Sequence, residues 1–493
     1  MYAKLLTSWP IFLPPFLTIA LAMISKRPGF SIICGIFLGV FIKVGVLDHQ
    51  YVFEFVKYFR EIFYKDNTLV ANNISLFIFL WLLGSYTSLL DKSGALGTMT
   101  GRLMKFINTP RKCEMAIIVI ALIVFIDDYF NSLIVGAIAL PMVQKLGVSR
   151  EKLAYYLDST AGPACILIPF SSWGVTIMAI IERNLQKHNL IGLFSFEVFI
   201  KSAAYNFYAI GALVLTLVVA FTTFDFPLMR ALDKKSQDSL KTKSPEDPLH
   251  VDQSHQLRVK RNVPEERNLF FAATTSLSFL LVGTIIIMLL SGYILSNYQT
   301  NLMKLLNHID VGISLILGAV GSLALVSVYL NPSVPVIKNS FVEGYKSMAP
   351  AMKILMLAWA LSSVIQDLNI GHVLSDFLIE SGLNPAFIPL SVFIVAGILS
   401  FSSGTSWATF SILVPIVFDL VMATNQNLLY ISLGATLGGA VMGDHSSPIS
   451  DTSILSSTGA KCDHMSHVVT QLPYCVLVGV LSGGGYLMFS YFY

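Results

Sequence analysis

Long apolar runs recur along the whole chain, separated by brief polar punctuation. About 20 mostly apolar residues are enough to carry a helix across a hydrocarbon layer. The runs that qualify are 6–25, 28–47, 72–91, 114–144, 153–181, 199–224, 270–295, 308–330, 346–366, 385–418, 428–460 and 467–491. The stretch 51–65 is aromatic and mixed in charge, which suits an interface or a loop. Four runs (114–144, 153–181, 385–418 and 428–460) are longer than one simple crossing requires, and each carries Gly, Pro, Ser or acidic residues near its middle. Such interruptions predict broken or re-entrant helices. The pattern therefore predicts an all-α polytopic membrane protein with roughly 11–13 membrane segments.

A hydrophilic stretch, 225–268, divides the chain almost in half, so residues 1–224 and 269–493 read as two membrane units. It holds 9 Lys/Arg and 8 Asp/Glu and shows no apolar face, as expected of a solvated linker. Its basic residues favour the cytoplasmic side. The halves share spacings: Ser132 lies nine residues before Pro141, as Ser406 does before Pro415, and Pro163 precedes Ser171-Ser172-Trp173-Gly174 by the same eight residues that separate Pro448 from Ser456-Ser457-Thr458-Gly459. An internal repeat is expected, inverted if each half crosses an odd number of times. Such an architecture places a substrate site at the repeat interface near the bilayer midplane.

Composition sharpens this reading. Charged residues make up 12% of the 493 residues and hydrophobic ones 55%, against about 25% charged in ordinary soluble domains. A secreted or cytosolic enzyme is thereby excluded. The net charge is only +3, with no basic run interleaved with aromatics, so nucleic acid is not an expected partner. Cys34, Cys113, Cys165, Cys462 and Cys475 are too scattered for a disulfide frame or a four-ligand zinc site. Met1 to Ile24 lacks a small-x-small cleavage site and reads as a retained first span.

The chemistry concentrates where the long runs are interrupted. Between Glu114 and Lys145 the charged residues are the adjacent Asp127 and Asp128, followed by Asn131 and Ser132. Thirteen helical residues beyond Glu114 amount to about 20 Å, which puts the acids in or near the apolar layer. A carboxylate there must be protonated, paired or bound to a cation, and two neighbours repel, so proton exchange near neutral pH is expected. The competing expectation is that the acids cap a broken helix or pair with a buried base. Asp158, with Ser159 and Thr160 before Gly162-Pro163, offers hard oxygens beside unwound backbone, or else caps a helix beginning near Thr160. Ser171 and Ser172 are ligands, or small residues that let helices approach. In the second half, Gly443-Asp444-His445-Ser446-Ser447-Pro448-Ile449-Ser450-Asp451-Thr452 sits inside an otherwise uncharged run, too polar to face lipid. Ser402-Ser403-Gly404-Thr405-Ser406 aligns with Asp128 to Ser132 and has hydroxyls where the first half has acids. Cys462-Asp463-His464-Met465-Ser466-His467 reads as a loop at the membrane edge, and Trp173 and Trp407 as packing beside the breaks.

Asp127-Asp128-Tyr129-Phe130-Asn131-Ser132, the Leu157-Asp158-Ser159-Thr160 turn and the string from Gly443 to Thr452 resemble the NhaC-type Na⁺/H⁺ antiporters of the ion-transporter superfamily, over nearly the whole chain outside the linker. The resemblance implies sodium–proton exchange by an elevator-like movement of one bundle against another. His445 stands where some members carry a lysine. Relatives on this scaffold exchange small organic acids or amino acids, so a Na⁺- or H⁺-coupled organic substrate is the alternative. The cation- and proton-binding residues expected are Asp127, Asp128, Asn131, Ser132, Asp158, Ser159, Ser172, Ser403, Thr405, Ser406, Asp444, His445, Ser446, Asp451 and Thr452. An intramembrane aspartyl protease fits poorly, because Asp158 follows Leu157 and not a tyrosine, and a conducting channel does not need a closed acidic site. The expected protein is not an enzyme, has no cofactor beyond the transported Na⁺ (or Li⁺) and H⁺, and lies in the cytoplasmic (inner) membrane among lipid, with homodimerisation left open.

Overall fold

The computed structural model describes residues 9–490 except 26, 46–48, 66, 126, 170, 191, 223, 243–265, 299–304, 306–308, 371–372 and 374–383. The first unit begins with α1 (Leu13–Ser25), α2 (Pro28–Val44) and α3 (His49–Glu61), followed by a two-stranded hairpin (Tyr64–Lys65 with Thr68–Leu69). It continues with α4 (Ala71–Lys92), α5 (Ala95–Leu103), α6 (Pro110–Ile123), α7 (Asp128–Leu146), α8 (Arg150–Leu167), α9 (Ser172–Lys187), α10 (Ser195–Ala204) and α11 (Phe207–Phe221). After α12 (Pro227–Thr242) come α13 (Glu266–Ser278), α14 (Thr284–Leu295), α15 (Val311–Leu330) and α16 (Val334–Asp367). The last five are α17 (Ile388–Ser403), α18 (Ser406–Ala423), α19 (Leu429–Ser446), α20 (Asp451–Ala460) and α21 (His464–Ser490).

Among the described residues nine helices are long and apolar enough to cross a membrane, or ten if the bent pair α10–α11 counts as one span. Two shorter apolar helices, Trp9–Ala22 and Gly29–Val44, lie at the N-terminal side. The protein is a multi-pass, all-α membrane protein.

All four over-long runs are broken. Helix stops at Ile123 and restarts at Asp128, stops at Leu167 and restarts at Ser172, stops at Ser403 and restarts at Ser406, and stops at Ser446 and restarts at Asp451. The broken pairs are thus α6/α7, α8/α9, α17/α18 and α19/α20. Their restarts do not keep the register of the matched spacings. Asp128 and Ser406 begin α7 and α18, whereas the spacing pairs Ser132 with Ser406. Likewise Ser172 and Asp451 begin helices, whereas the spacing pairs Ser172 with Ser457. Of the matched serines, Ser406 and Ser172 begin helices and Ser171 caps one, whereas Ser132, Ser456 and Ser457 lie inside helices.

Two apolar cores organise these helices. One gathers α2, α3, α9, α10, α17, α18 and α19, and the other gathers α4 to α7, most of α8, α13, α15 and α20. The pair α6/α7 stays within the second core and α17/α18 within the first. The remaining two cross in opposite directions: α8 lies mainly in the second core and α9 in the first, while α19 lies in the first and α20 in the second. The α8/α9 and α19/α20 breaks consequently lie along the seam between the cores, and the other two breaks bond to them.

The hydrophilic stretch is not solvated throughout. Its middle, 243–265, lies outside the described residues, but α12 docks on the base of α8. Lys152 Nζ sits 3.2 Å from Glu114 Oε1, 2.9 Å from Asp225 Oδ2 and 3.0 Å from Asp233 Oδ2, with its side chain only 6% exposed. Tyr474 donates to Asp225 Oδ1 at 2.8 Å, the Ser149 amide donates to Asp233 Oδ1 at 2.9 Å, and Met229 is fully buried. Buried charge pairs, together with Met229, hold the segment.

Removing one partner from a buried ion cluster strands the others. Lys152→Met is expected to lower stability by about 3–5 kcal/mol, read as a lower thermal midpoint of purified protein. Deleting 244–262, which spares Asp225 and Asp233, is expected to leave the midpoint unchanged. A wild-type midpoint for Lys152→Met would show that α12 is held by something else.

Candidate functional site

Backbone groups freed at a helix break need partners in an apolar interior. The residues that supply them here are the residues with chemistry. Asp127, in extended conformation, caps α7: its Oδ1 accepts from the Phe130 amide at 3.1 Å, and its Oδ2 accepts from the Ser172 hydroxyl at 3.0 Å. Asn131 reaches back across the break, where its Nδ2 donates to the carbonyls of Ala121 (2.7 Å) and Val124 (3.1 Å) at the end of α6. Ser171 caps α9 through the Gly174 amide at 2.9 Å. Trp173 Nε1 donates to Asp128 Oδ1 at 2.9 Å, while its ring meets Trp407 edge-on at 5.4 Å between centroids.

The second half uses the same devices with different side chains. At the start of α18 both the Ser406 hydroxyl (2.8 Å) and amide (3.3 Å) donate to Asp444 Oδ2. Gly404 ends α17 at φ +69°, pressed against the Ile449 backbone so that a side chain would collide with it, and its carbonyl accepts from the Asp451 amide at 3.2 Å. Ser450 caps α20 through the Ser453 amide at 3.1 Å. Asp451, the first residue of α20, accepts from the Tyr129 hydroxyl at 2.6 Å and so joins the two halves.

Asp158 stands apart in local role. It lies in the middle of α8, whose cap is Ser149, so it does not cap a helix near Thr160. Its Oδ2 accepts from Ser453 Oγ (2.7 Å), Gln471 Nε2 (2.6 Å) and His467 Nε2 (3.3 Å). Asp451 interacts electrostatically with Asp128 on one side and Asp444 on the other, and Asp158 with both Asp444 and Asp451. One buried oxygen of each carboxylate is left without a partner: Asp128 Oδ2, Asp158 Oδ1, Asp444 Oδ1 and Asp451 Oδ1, together with the amide oxygen Asn131 Oδ1. Among the described residues no lysine or arginine pairs with Asp127, Asp128, Asp444 or Asp451.

The other expected ligands bond close to home. Ser132 Oγ lies 3.1 Å from Ser456 Oγ, where Gly136 and Gly459 let α7 and α20 cross closely, so its hydroxyl serves helix packing. Ser446 Oγ donates to Met442 O at 2.8 Å, Ser403 Oγ to Thr405 O at 3.4 Å, and Thr452 Oγ1 lies 3.0 Å from Ser450 Oγ. Thr405 precedes α18 without capping it through its side chain, and Ser159 is buried. His445 Nδ1 is 3.4 Å from the Tyr208 hydroxyl, and its other ring nitrogen faces Gly162. The supposed edge loop 462–467 contributes to the site: α21 begins at His464, whose Nε2 lies 2.9 Å from Pro448 O, and His467 reaches Asp158. Tyr129, Trp173, Ser453, His467 and Gln471 were not foreseen. For the last two a signal existed, two polar residues four apart on an otherwise apolar helix.

Comparison with known proteins places this geometry. A model of the Na⁺/H⁺ antiporter family matches residues 164–491, two thirds of the chain. The chain belongs to that family. Asp444 and Asp451 fall inside the matched range, whereas Asp127, Asp128 and Asp158 precede it. The antiporter is 34% identical over 98% of its length to an uncharacterized protein of Haemophilus influenzae, covering 91% of that protein. Shorter matches join it to a malate-2H⁺/Na⁺-lactate antiporter of Bacillus subtilis (30% identity, 30% of this chain and 31% of that one) and to an uncharacterized Na⁺/H⁺ antiporter of H. influenzae (29% identity, 19% and 21%). It is a secondary transporter and not an enzyme.

The clamp at the first break can be separated from the packing contact one residue on. Asn131→Leu strands two buried carbonyls and is expected to lose on the order of 1–3 kcal/mol of stability. Ser132→Ala removes one hydroxyl pair and is expected to stay within about 1 kcal/mol. Equal melting temperatures for the two purified variants would refute the clamp.

Proposed function

We propose that this antiporter exchanges Na⁺ or Li⁺ for H⁺, with Asp128, Asp444 and Asp451 as the carriers. One observation carries the reading: each of these buried carboxylates has one oxygen held by a donor of the chain and the other without a partner. The held oxygen fixes the group's position. The open oxygen is a hard acceptor, the kind that Na⁺ and Li⁺ prefer. A carboxylate so buried is costly unless a cation or a proton neutralises it. Cation and protons thus compete for the same oxygens, and release of one makes room for the other.

The halves 1–224 and 269–493 act, on this reading, as inverted units around the seam. The opposite courses of α8/α9 and α19/α20 between the two cores support that relation. Movement of one bundle against the other would then expose the seam to alternate sides.

A second reading, exchange of a small organic acid, is favoured by the similarity to the B. subtilis malate–lactate antiporter. The site argues against it. An anion needs free helix N-termini or a basic clamp, yet α7, α9 and α20 are capped by Asp127, Ser171 and Ser450, and the first amide of α18 is taken by Asp444.

The test is proton flux in proteoliposomes loaded acid inside, on adding Na⁺, Li⁺, K⁺ or a panel of organic acids. Na⁺ or Li⁺ is expected to discharge the gradient. Discharge by an organic acid alone would move the assignment to the second reading. Asp444→Asn keeps size and one carbonyl oxygen but cannot alternate between proton and cation. It is expected to fold and to lose exchange, whereas Asp444→Glu is expected to transport with weakened cation affinity. Wild-type rate and pH dependence in purified Asp444→Asn would remove this residue from the mechanism.

A further inference from the structure

The last helix contributes two polar side chains to the seam that belong to none of the acidic or serine-rich segments. His467 and Gln471, four residues apart on α21, are both completely buried. Both point at one atom, Asp158 Oδ2, which already takes the Ser453 hydroxyl. A carboxylate oxygen only accepts, so the amide nitrogen of Gln471 and a protonated Nε2 of His467 must face it. The same Gln471 nitrogen also donates to the carbonyl of His445 at 3.0 Å. His445 lies in the last turn of α19, directly after Asp444.

Gln471 therefore bridges the middle of α8 and the end of α19. With Oδ2 saturated by three donors, Oδ1 is the single open oxygen of Asp158, and the bond to His445 fixes where it stands relative to Asp444. A helix outside the four broken pairs thus sets the spacing between two carboxylates that come from different halves of the chain.

We propose that Gln471 is a positioning residue for the transported cation, acting through Asp158 and the His445 carbonyl and not by touching the ion. The inference rests on the exchange reading above. It places Asp158 Oδ1 in the coordinating set and assigns Gln471 a role in apparent affinity instead of maximal rate. Partners that orient a ligand group typically change metal affinity about 10- to 100-fold when removed, and an effect of that size is expected here.

The test uses the full chain in proteoliposomes. Gln471→Leu keeps bulk and removes the donor. It is expected to raise the half-saturating Na⁺ or Li⁺ concentration about 10-fold or more with maximal rate near wild type, and to lower the thermal midpoint because buried acceptors lose a donor. Gln471→Glu keeps the shape and can donate to Asp158 only when protonated. Its half-saturating concentration, taken relative to wild type at each pH, is therefore expected to recover as pH falls. A packing role would produce neither the split between affinity and rate nor the acid rescue. Wild-type affinity in folded Gln471→Leu, or equal loss of rate at unchanged affinity, overturns the inference alone. A wild-type protein that responds to no monovalent cation overturns the exchange reading and this inference with it. If Gln471→Leu fails to fold, Gln471→Glu decides: no relative recovery at low pH overturns the positioning role.

Discussion

Every broken helix in an apolar surrounding leaves peptide groups that water cannot reach, and each must find a partner or cost several kcal/mol. The rest of this site follows from how those groups are satisfied. Asp127 caps α7, Asn131 closes the end of α6, and Asp444 takes the first amide of α18. Side chains that would be expensive to bury alone thereby become necessary to the backbone. The same bonds hold both oxygens of Asp127, whereas Asp128, Asp444 and Asp451 each have one oxygen held and the other open. Structural need and chemical readiness are two consequences of one arrangement at the breaks, where Asp127, Asp128, Asp444 and Asp451 lie, while Asp158 reaches the same site from the middle of α8.

The seam between the two cores gives this arrangement room. Had both members of every broken pair stayed in one core, the breaks would lie inside two separately packed bodies. α8/α9 and α19/α20 change cores at their breaks, and the breaks of α6/α7 and α17/α18 bond to them through Asp127 with Ser172 and Ser406 with Asp444. Asp127 to Ser172 and Asp128 to Trp173 join helices of different cores, whereas Tyr129 to Asp451 and Ser453 to Asp158 tie helices of the second core together and Trp173 packs on Trp407 within the first. Gly136 against Gly459 lets α7 and α20 approach closely.

Much of this was legible in the residues. Runs too long for one crossing, with Gly, Pro and acids in their middles, announced the four breaks, and the buried acids without nearby bases announced the seam's chemistry. The matched spacings do not predict the helix starts, because Ser406 and Ser172 begin helices while Ser132 and Ser457, paired with them by spacing, lie inside helices. The linker misled for a different reason. Lys152 with Glu114, Asp225 and Asp233 is a contact between distant segments, and hydropathy reports apolar faces, not charge partners. Gln471 and His467 were hidden by their setting: a polar residue in an apolar helix says that it has a partner, and sequence alone does not say which.

The division of acids and hydroxyls among the four helix starts has its own logic. The first residues of α7, α9, α18 and α20 are Asp128, Ser172, Ser406 and Asp451, two acids and two hydroxyls. Each hydroxyl donates to an acid from another helix, Ser172 to Asp127 and Ser406 to Asp444. Four acids at these positions would bring like charges together with nothing to donate to them, and the repulsion would add to the cost of burial. Four hydroxyls would cap the helices equally well but leave less charge to neutralise. Alternation gives every acid a neutral donor and keeps the total negative charge within what a cation and a small number of protons can balance. Ser406 is thus a complement of Asp444, the donor that holds one of its oxygens in place.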